Sequence, residues 1–382
     1  MTQDTFVYDP STAEFQQRMH DVYREMRDRH PLYVGRGFYA ISRFSDLWDA
    51  IHDPETFSSD GVAEAAQLMP QMIYMDPPRH TELRALVSRA FTPRRVAELE
   101  DRVRAVTRER IAGFASAGRC DVVHDLAAPV PSTIMSALIG VPPEHTEQFR
   151  AWTEAFLEVT GPDDIAARAS GIYSLFGELL AERRRAPADD LMSALLTAEA
   201  DGQRLSESDL LGFCFLLLIA GNDTTTTLIG NGVELLARHP DQRAELVADP
   251  SMIPDALEEM LRIESPTQAL PRTATRDTEL HGVPIAAGAR VMLLFGAANL
   301  DEREFSEPES FDSHRRASRH LAFGHGVHYC LGAMLARLES RIVFEELLAR
   351  IGPYELAAEP ERYTSNWARA WKTLPIRFPP AA

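Results

Sequence analysis

Lysine is all but missing from this chain. Lys372 is the only one among 382 residues, and the other basic positions are arginine, which we read as base-composition bias rather than function. The net charge of −18 removes the broad positive surface that non-specific nucleic-acid binding needs. Cysteine is scarce as well. Cys120, Cys214 and Cys330 lie far apart, and an odd, sparse set excludes a disulfide framework and points to a reducing cytoplasm. Long apolar runs are also lacking: the longest, 210–220, is shorter than the roughly 20 residues that span a bilayer. The first ten residues are polar and carry no apolar core, so neither a signal peptide nor a membrane anchor is expected. Linkers, charge blocks, low-complexity tracts and internal repeats are absent too. At 382 residues the chain exceeds the roughly 250–300 at which cores tend to split. With nothing to divide it, one domain over 1–382 is expected, its large core wrapped around a cofactor. A composition of 45% hydrophobic and 25% charged residues is that of a soluble globular enzyme.

What is present reads mainly as helix. Ser11 with Glu14 forms a capping box that opens a helix to Arg29, with Pro31 ending it. Aromatics and valine around a Gly-Arg-Gly turn make 32–41 a β-hairpin. A short helix follows over 44–52, and then a long loop over 57–74 with one helical turn. Asp76-Pro77-Pro78 starts a helix with proline in its first turn. Further helices are expected over 96–115, 132–139, 144–159, 165–185, 189–200, 253–263 and 331–350. Short strands are expected at 283–285, 290–295, 354–356 and 375–378, with 267–272 extended. The segment 299–319, rich in Pro, Ser and charge, reads as structureless.

The longest helix is capped by Ser206 and Asp209 and stopped by Pro240. It spans about 33 residues, or roughly 50 Å. Over 210–220 it is apolar nearly all round, as a central buried helix should be. The pattern then breaks at Ala220-Gly221-Asn222-Asp223-Thr224-Thr225-Thr226-Thr227, all but the first poor helix formers. A polar interruption in a buried helix marks a functional site. The helix is expected to unwind locally there, with Gly221 permitting it and Thr224 bonding backbone or water.

The most informative stretch is Phe323-Gly324-His325-Gly326-Val327-His328-Tyr329-Cys330-Leu331-Gly332, followed by strong helix formers. Cys330 should therefore sit at a helix N-terminus, where exposed N–H groups and the dipole lower a thiol pKa. The glycines before it relax the loop, and Gly332 keeps the first helical turn bare so that something flat can lie close. A soft thiolate, bare backbone and a nearby aromatic suit a haem iron. Zinc is the rival reading, since His320, His325, His328 and Cys330 crowd together, but their spacing matches no familiar zinc pattern.

The pattern F-x-x-G-x-H-x-C-x-G resembles the haem-ligand loop of the cytochrome P450 family. The resemblance extends, in order, over nearly the whole chain. It implies a mainly α fold with a smaller β region (α+β), a long central helix over haem b (iron protoporphyrin IX) and the cysteine loop below. Phe323, Gly324, His328, Cys330 and Gly332 would then form the loop, with Cys330 the axial iron ligand. His328 stands where most members carry Arg, and either side chain can donate to a haem propionate. From spacing alone, His80 and Arg84 share one helix face, which solvation would explain equally well. In the resemblance D-P-P-x-H-x-x-x-R makes them propionate partners, and Pro271-Arg272 matches a strand position whose Arg binds the other propionate. Ala220–Thr225 resembles the oxygen-binding groove, with Asp223 and Thr224 the proton-delivery pair. Glu259 and Arg262 match the E-x-x-R pair, and Arg315 its third, structural member.

A thiolate-ligated haem favours O–O cleavage, which requires two electrons and two protons. The implied reaction is activation of O2 and insertion of one oxygen atom into a lipophilic small molecule, by hydroxylation or epoxidation. Substrate contacts are expected from Leu216, Thr267, Gln268, Ala269, Leu270 and Trp367, with Gln268 and Arg369 as polar anchors. No flavin or iron–sulfur segment is visible, so a ferredoxin and its reductase would supply electrons. Arg79, Arg84, Arg89, Arg94 and Arg95 would steer an acidic partner, although simple solvation accounts for them as well. The competing activities are a peroxide-driven peroxygenase, a nitric-oxide reductase-like variant and a non-catalytic haem sensor.

Overall fold

The computed structural model describes residues 6–61, 68–158, 162–200 and 202–380. It is mainly helical with a smaller β region, as expected. Helix α1 (Ala13–Arg29) starts one residue later than the expected cap: Thr12, in extended backbone, accepts the Phe15 N–H at 3.2 Å. Ser11 bonds to Asp9 instead. The hairpin of β1 (Leu32–Val34) and β2 (Tyr39–Ile41) and the helix α2 (Phe44–His52) form as expected. Together with β3 (Phe57–Ser58), β4 (Leu270–Ala274) and β5 (Arg290–Leu293), they give a sheet ordered β1-β2-β5-β4-β3. Only the β2–β5 pairing in it is parallel.

Several boundaries differ from expectation. In the loop over 57–74, β3 and a 3₁₀ turn at Met72–Tyr74 form, and 62–67 lie outside the described residues. Helix α3 (Arg79–Ala90) begins after both prolines, with Pro78 at the cap rather than in the first turn. The helix expected over 96–115 is two, Pro93–Ala97 and α4 (Glu100–Ala115). Helix α5 (Pro129–Ile139) extends the 132–139 expectation. The 144–159 helix is a 3₁₀ turn followed by α6 (Thr146–Phe156); 159 is outside the described residues. Helix α7 (Pro162–Arg185) comes next. The 189–200 helix stops at Thr197, and a small hairpin of Glu199–Ala200 with Gln203–Arg204 follows. The last long helix runs over Ala333–Ile351.

The central helix α8 (Glu207–Arg238) opens on the expected capping box. By length and composition it could cross a membrane, but in this fold it is the core helix and most of that stretch is buried. The expected unwinding at 220–227 does not occur, and the helix runs through without a break. Two of its threonines find partners that leave the ladder intact: Thr224 Oγ1 donates to the Ala220 carbonyl at 2.6 Å and Thr226 Oγ1 to the Ala127 carbonyl at 3.2 Å. Gly221 serves a close approach. A Cβ there would stand 2.8 Å from Met135 Cε on α5. Around α8 pack α5, α6, α7, α9 (Ile253–Ile263) and α10 (Ala333–Ile351), in one continuous apolar cluster.

The segment 299–319 has no helix or strand, as expected, and is held by buried polar groups. Arg262 and Glu259 on α9, both 0% exposed, form a bidentate pair at 2.7 Å. Arg262 also donates to the carbonyls of Asn299 (2.9 Å) and Pro308 (2.7 Å). Arg315 donates to Glu259 at 3.0 Å and to the Ser306 carbonyl at 2.8 Å. Asn299 bridges onward, accepting the Leu321 N–H at 2.6 Å. A buried pair of this kind is costly to break because the remaining charge has nowhere to go. Glu259→Ala is expected to destabilise the fold by about 3–5 kcal/mol, read from denaturant unfolding. An unchanged midpoint would contradict the assignment.

Glu339 on α10 is a different case. It is 1% exposed, neither carboxyl oxygen has a partner among the described residues, and burial pushes its pKa up to about 8. Between its ordinary value of 4.5 and about 8, unfolding releases this proton, so stability falls as pH rises through that window. Glu339→Gln removes the slope. Its unfolding midpoint should gain on the unsubstituted protein from pH 5 to pH 8, and a gap that does not change with pH would contradict this.

Candidate active site

Cys330 lies between a 3₁₀ turn, Gly326–His328, and α10. Its N–H donates to the Phe323 carbonyl at 2.9 Å and closes the loop. Gly324 and Gly326, both at φ +65, make the reversal in a region that side chains disfavour. A Cβ on Gly332 would lie 4.0 Å from the Cys330 sulfur, so the surface beside it is bare. Burial pushes the Cys330 thiol up, against the pull of the Gly332 and Ala333 N–H groups and the Arg84 and Arg337 charges. The lowered pKa expected from helix position alone is therefore not met by the polypeptide; desolvation outweighs the dipole.

A clamp invisible to motif reading holds this loop. Arg337, on the first turns of α10, makes a bidentate pair with Glu258 at 2.7 Å and donates to the Tyr329 hydroxyl at 3.1 Å. Its guanidinium also lies 4.5 Å from the Phe323 ring centre. His320 meets the same Glu258 at 2.9 Å. Glu258 is held down to about 2, its cationic and donor partners overcoming the opposing, and largest, effect of burial. The neighbouring acid, Glu259, was the one the E-x-x-R pattern picked out.

Beside the loop, cationic and imidazole groups collect, with Asp76 the acid nearest to His80 and Arg272. The rings of His80 and His328 are 4.2 Å apart. His80 is 1% exposed, and neither ring nitrogen has a partner among the described residues. Arg272 is buried, its guanidinium donates to the Pro271 carbonyl at 2.8 Å, and burial lowers its pKa. Arg84 donates to the Tyr329 carbonyl at 2.6 Å. Neither arginine has a carboxylate in ion-pair reach among the described residues. His328 Nε2 meets Ser59 Oγ at 3.1 Å, and burial with the nearby His80, Arg272 and Arg84 keeps it down to about 3. It is thus a neutral donor. Buried cations without counter-charges are costly, so the cluster is chemically matched to an anionic group.

Along α8 a stripe of Leu216, Ala220 and Thr224, each four residues from the next, is partly or fully exposed, and Leu217, Ile219 and Gly221 beside it are partly exposed as well. Asp223 points to a neighbouring flank. It is 4% exposed and hydrogen-bonds with Thr153 of α6, and burial pushes its carboxyl up to about 8. The expected pair is therefore adjacent in sequence but not joined side chain to side chain.

The expected polar anchors are otherwise engaged. Gln268 accepts from the Tyr23 hydroxyl at 2.9 Å and donates to the Ser265 carbonyl at 2.6 Å, while Arg369 is paired with the buried Glu264. Ala269 is buried; Thr267, Leu270 and Trp367 are partly exposed. The expected basic cluster is largely neutralised: Arg79 pairs with Asp209 (2.6 Å), Arg94 with Glu98 (2.9 Å) and Arg95 with Asp189 (4.0 Å), and Arg89 bonds the Glu199 carbonyl.

Comparison with known proteins decides the family. The Cytochrome P450 family model matches residues 168–360. The chain is 40% identical over 372 residues to the steroid C26-monooxygenase of Mycobacterium tuberculosis, covering 94% of this chain and 93% of that one. It is 40% identical over 396 residues to the vitamin D(3) 25-hydroxylase of Pseudonocardia autotrophica, covering 99% and 98%. Among solved structures, cytochrome P450 CYP109Q5 from Chondromyces apiculatus superposes with a TM-score of 0.91 at 37% identity, over 98% of both chains.

The chain belongs to the cytochrome P450 family.

As a P450 it is a haem-thiolate monooxygenase, and its cofactor is protoporphyrin IX haem. The residues present fit that group. A sulfur beside bare backbone suits the iron, and the unpaired His80, Arg84 and Arg272 suit its two carboxylates. Bound iron also reverses the burial penalty on a thiolate, since the metal's own charge dominates nearby ionisation. Arg272→Leu is expected to weaken haem retention at least about tenfold, the equivalent of one charge-assisted hydrogen bond. Transfer of haem to an apoprotein acceptor measures it, and an unaltered transfer rate would contradict the role.

Proposed function

We propose that Cys330 would ligate the haem iron, that His80, Arg84, Arg272 and His328 would hold its carboxylates, and that the enzyme oxygenates a bulky lipophilic molecule over the Leu216–Ala220–Thr224 stripe. The observation that carries the reading is Thr224 itself, a partly exposed hydroxyl one turn on from the exposed Ala220 of the central helix. Bound haem with a thiolate ligand supplies the electron density that favours O–O cleavage. The chain must supply protons and exclude stray water. Thr224 Oγ1 gives its proton to the Ala220 carbonyl, so its lone pairs are free to accept from a water or an acid on the stripe. Asp223, raised to about 8, keeps a proton available near neutral pH, where a general acid works best.

Two relatives whose names specify a steroid and vitamin D(3) support a lipophilic, sterol-derived substrate class. The apolar character of Leu216, Ala220 and Leu270 agrees with it. A ferredoxin with its reductase is the proposed electron source and the cytoplasm the proposed location. Since most of the expected arginine cluster is paired, partner docking should depend on Arg84 and the loop around Tyr329 more than on a basic face. Glu259, Arg262 and Arg315 are proposed to keep the loop in register, so their loss should cost haem rather than tune turnover.

Cys330→Ser is expected to lose the strongly red-shifted carbon-monoxide band of the reduced protein; retention of the band would overturn the ligand assignment. Thr224→Ala should still consume reductant but divert it to hydrogen peroxide, cutting product per electron pair at least about tenfold. Tightly coupled product formation in that variant would refute the role, and turnover on peroxide alone, without ferredoxin and oxygen, would favour a peroxygenase.

A further inference from the structure

The groups that collect beside the cysteine loop come from separate parts of the chain: His80 and Arg84 from α3, Arg272 from β4, and His328 from the loop itself. One acid ties these parts together. Asp76, just before α3, accepts the Ser58 hydroxyl at 2.5 Å and the Ser59 N–H at 2.9 Å, and its backbone carbonyl accepts the His80 N–H at 2.9 Å. Ser58 ends β3 and pairs opposite Thr273 on β4, the neighbour of Arg272. Ser59 is 1% exposed and meets His328 Nε2 through its hydroxyl at 3.1 Å. A continuous path of hydrogen bonds therefore runs from the start of α3 through Asp76 and Ser59 to His328. Asp76 is the acid nearest to His80 and Arg272, yet its two carboxylate oxygens are taken by the serines, and it forms no ion pair with either among the described residues. It frames the cluster without neutralising it.

The members of the cluster differ in how much orientation they need. A guanidinium carries several N–H donors in a fixed fork, so Arg84 and Arg272 can meet a carboxylate from more than one approach. A neutral imidazole has one N–H and one lone pair. It acts as a donor only when the ring is turned correctly, and the hydrogen bond made by the other nitrogen decides which one carries the proton. A serine hydroxyl suits that task, because it can donate to the lone pair.

We propose that Ser59, held in place by Asp76, is a positioning residue of the haem site: by donating to Nε2 it fixes the ring of His328 and leaves the N–H on Nδ1 as the donor to a haem carboxylate. This rests on the reading of His328 as a carboxylate partner. Ser59 acts through His328, the one bond that its hydroxyl makes among the described residues. The Met75 carbonyl, next to Asp76, also bonds the His328 ring. A carboxylate is the stronger acceptor, since a hydrogen bond to an ionised group is roughly twice as strong as one between neutral groups. Asp76 keeps the hydroxyl from turning away, because it pins the Ser59 backbone on one oxygen and the preceding side chain on the other.

The test is a double-mutant cycle on the haem-loaded enzyme. It is read by the rate of haem transfer to an apoprotein acceptor and by the carboxylate bending bands of the haem in resonance Raman spectra, neither of which needs turnover. Ser59→Ala should speed transfer about fivefold, the equivalent of one hydrogen bond, and shift a carboxylate band. His328→Leu should do at least as much. Adding Ser59→Ala to His328→Leu should change neither readout further, because residues that act through one another do not add. Ser59→Thr, which keeps the hydroxyl, should restore the unsubstituted rate and band. Asp76→Asn gives up one acceptor and should move the same band, so it carries the test should Ser59→Ala fail to load haem. Effects that add in the double variant overturn the action through His328. An unaltered rate and band in Ser59→Ala, while His328→Leu changes both, overturns the positioning role and leaves His328 standing as a carboxylate partner. Silence of both readouts in His328→Leu overturns that reading and the proposal with it.

Discussion

Two residues of opposite charge, Glu259 and Arg262, are closed off entirely from water, and each is tolerable there only because of the other. Their pairing leaves donors on Arg262 pointing outward to backbone carbonyls, and Glu259 with capacity for Arg315 and the Asp312 N–H. That surplus is what orders a stretch too rich in proline and charge to build its own ladder. Through Asn299 the order passes to Leu321, and from there, two residues on, to the Phe323 carbonyl that closes the cysteine loop. Glu258, one residue before, ties the same helix to Arg337 and Tyr329 on the far side of the loop. A single helix thus holds the cysteine loop from both directions, by neighbouring acids of which sequence spacing picked out only Glu259.

The same electrostatics explains the opposite face. Buried ionisable groups fall into two sets in this molecule. Glu258 and Glu264 have cations and stay ionised. Asp223, on the helix that walls the site, has only a hydroxyl and is held neutral. Arg272 and His80 invert the case, as donors without anions, and they lie beside a sulfur whose own ionisation the polypeptide does not favour. Thiol, arginine and imidazole each lack what a negatively charged, iron-bearing porphyrin supplies. The cofactor completes the electrostatics of the protein around it.

Much of the architecture was legible in the chain. Local signals with a direct physical cause placed the elements well: the Ser206–Asp209 capping box, the Gly-Arg-Gly hairpin, and Pro240 after the central helix. Errors came where two local solutions compete. Ser11 and Thr12 both offer a hydroxyl, and only backbone direction decides which one caps. Gly221 followed by threonines read as a break, yet the helix continues, because threonine can bond its own i−4 carbonyl and because Met135 needs the space that glycine leaves. The tail residue Arg369 and Gln268 read as substrate anchors, but Glu264 and Tyr23, distant in sequence, claim them.

Sequence alone determined the family and the cofactor, because residue types at fixed spacing along one loop and one helix are local properties. Tertiary structure decided that Glu258 joins Glu259 in holding the loop, which way Asp223 faces relative to Thr224, and which cations are left unpaired. Those depend on what packs against a side chain from another part of the chain. Burial there sets both its charge and its freedom to act.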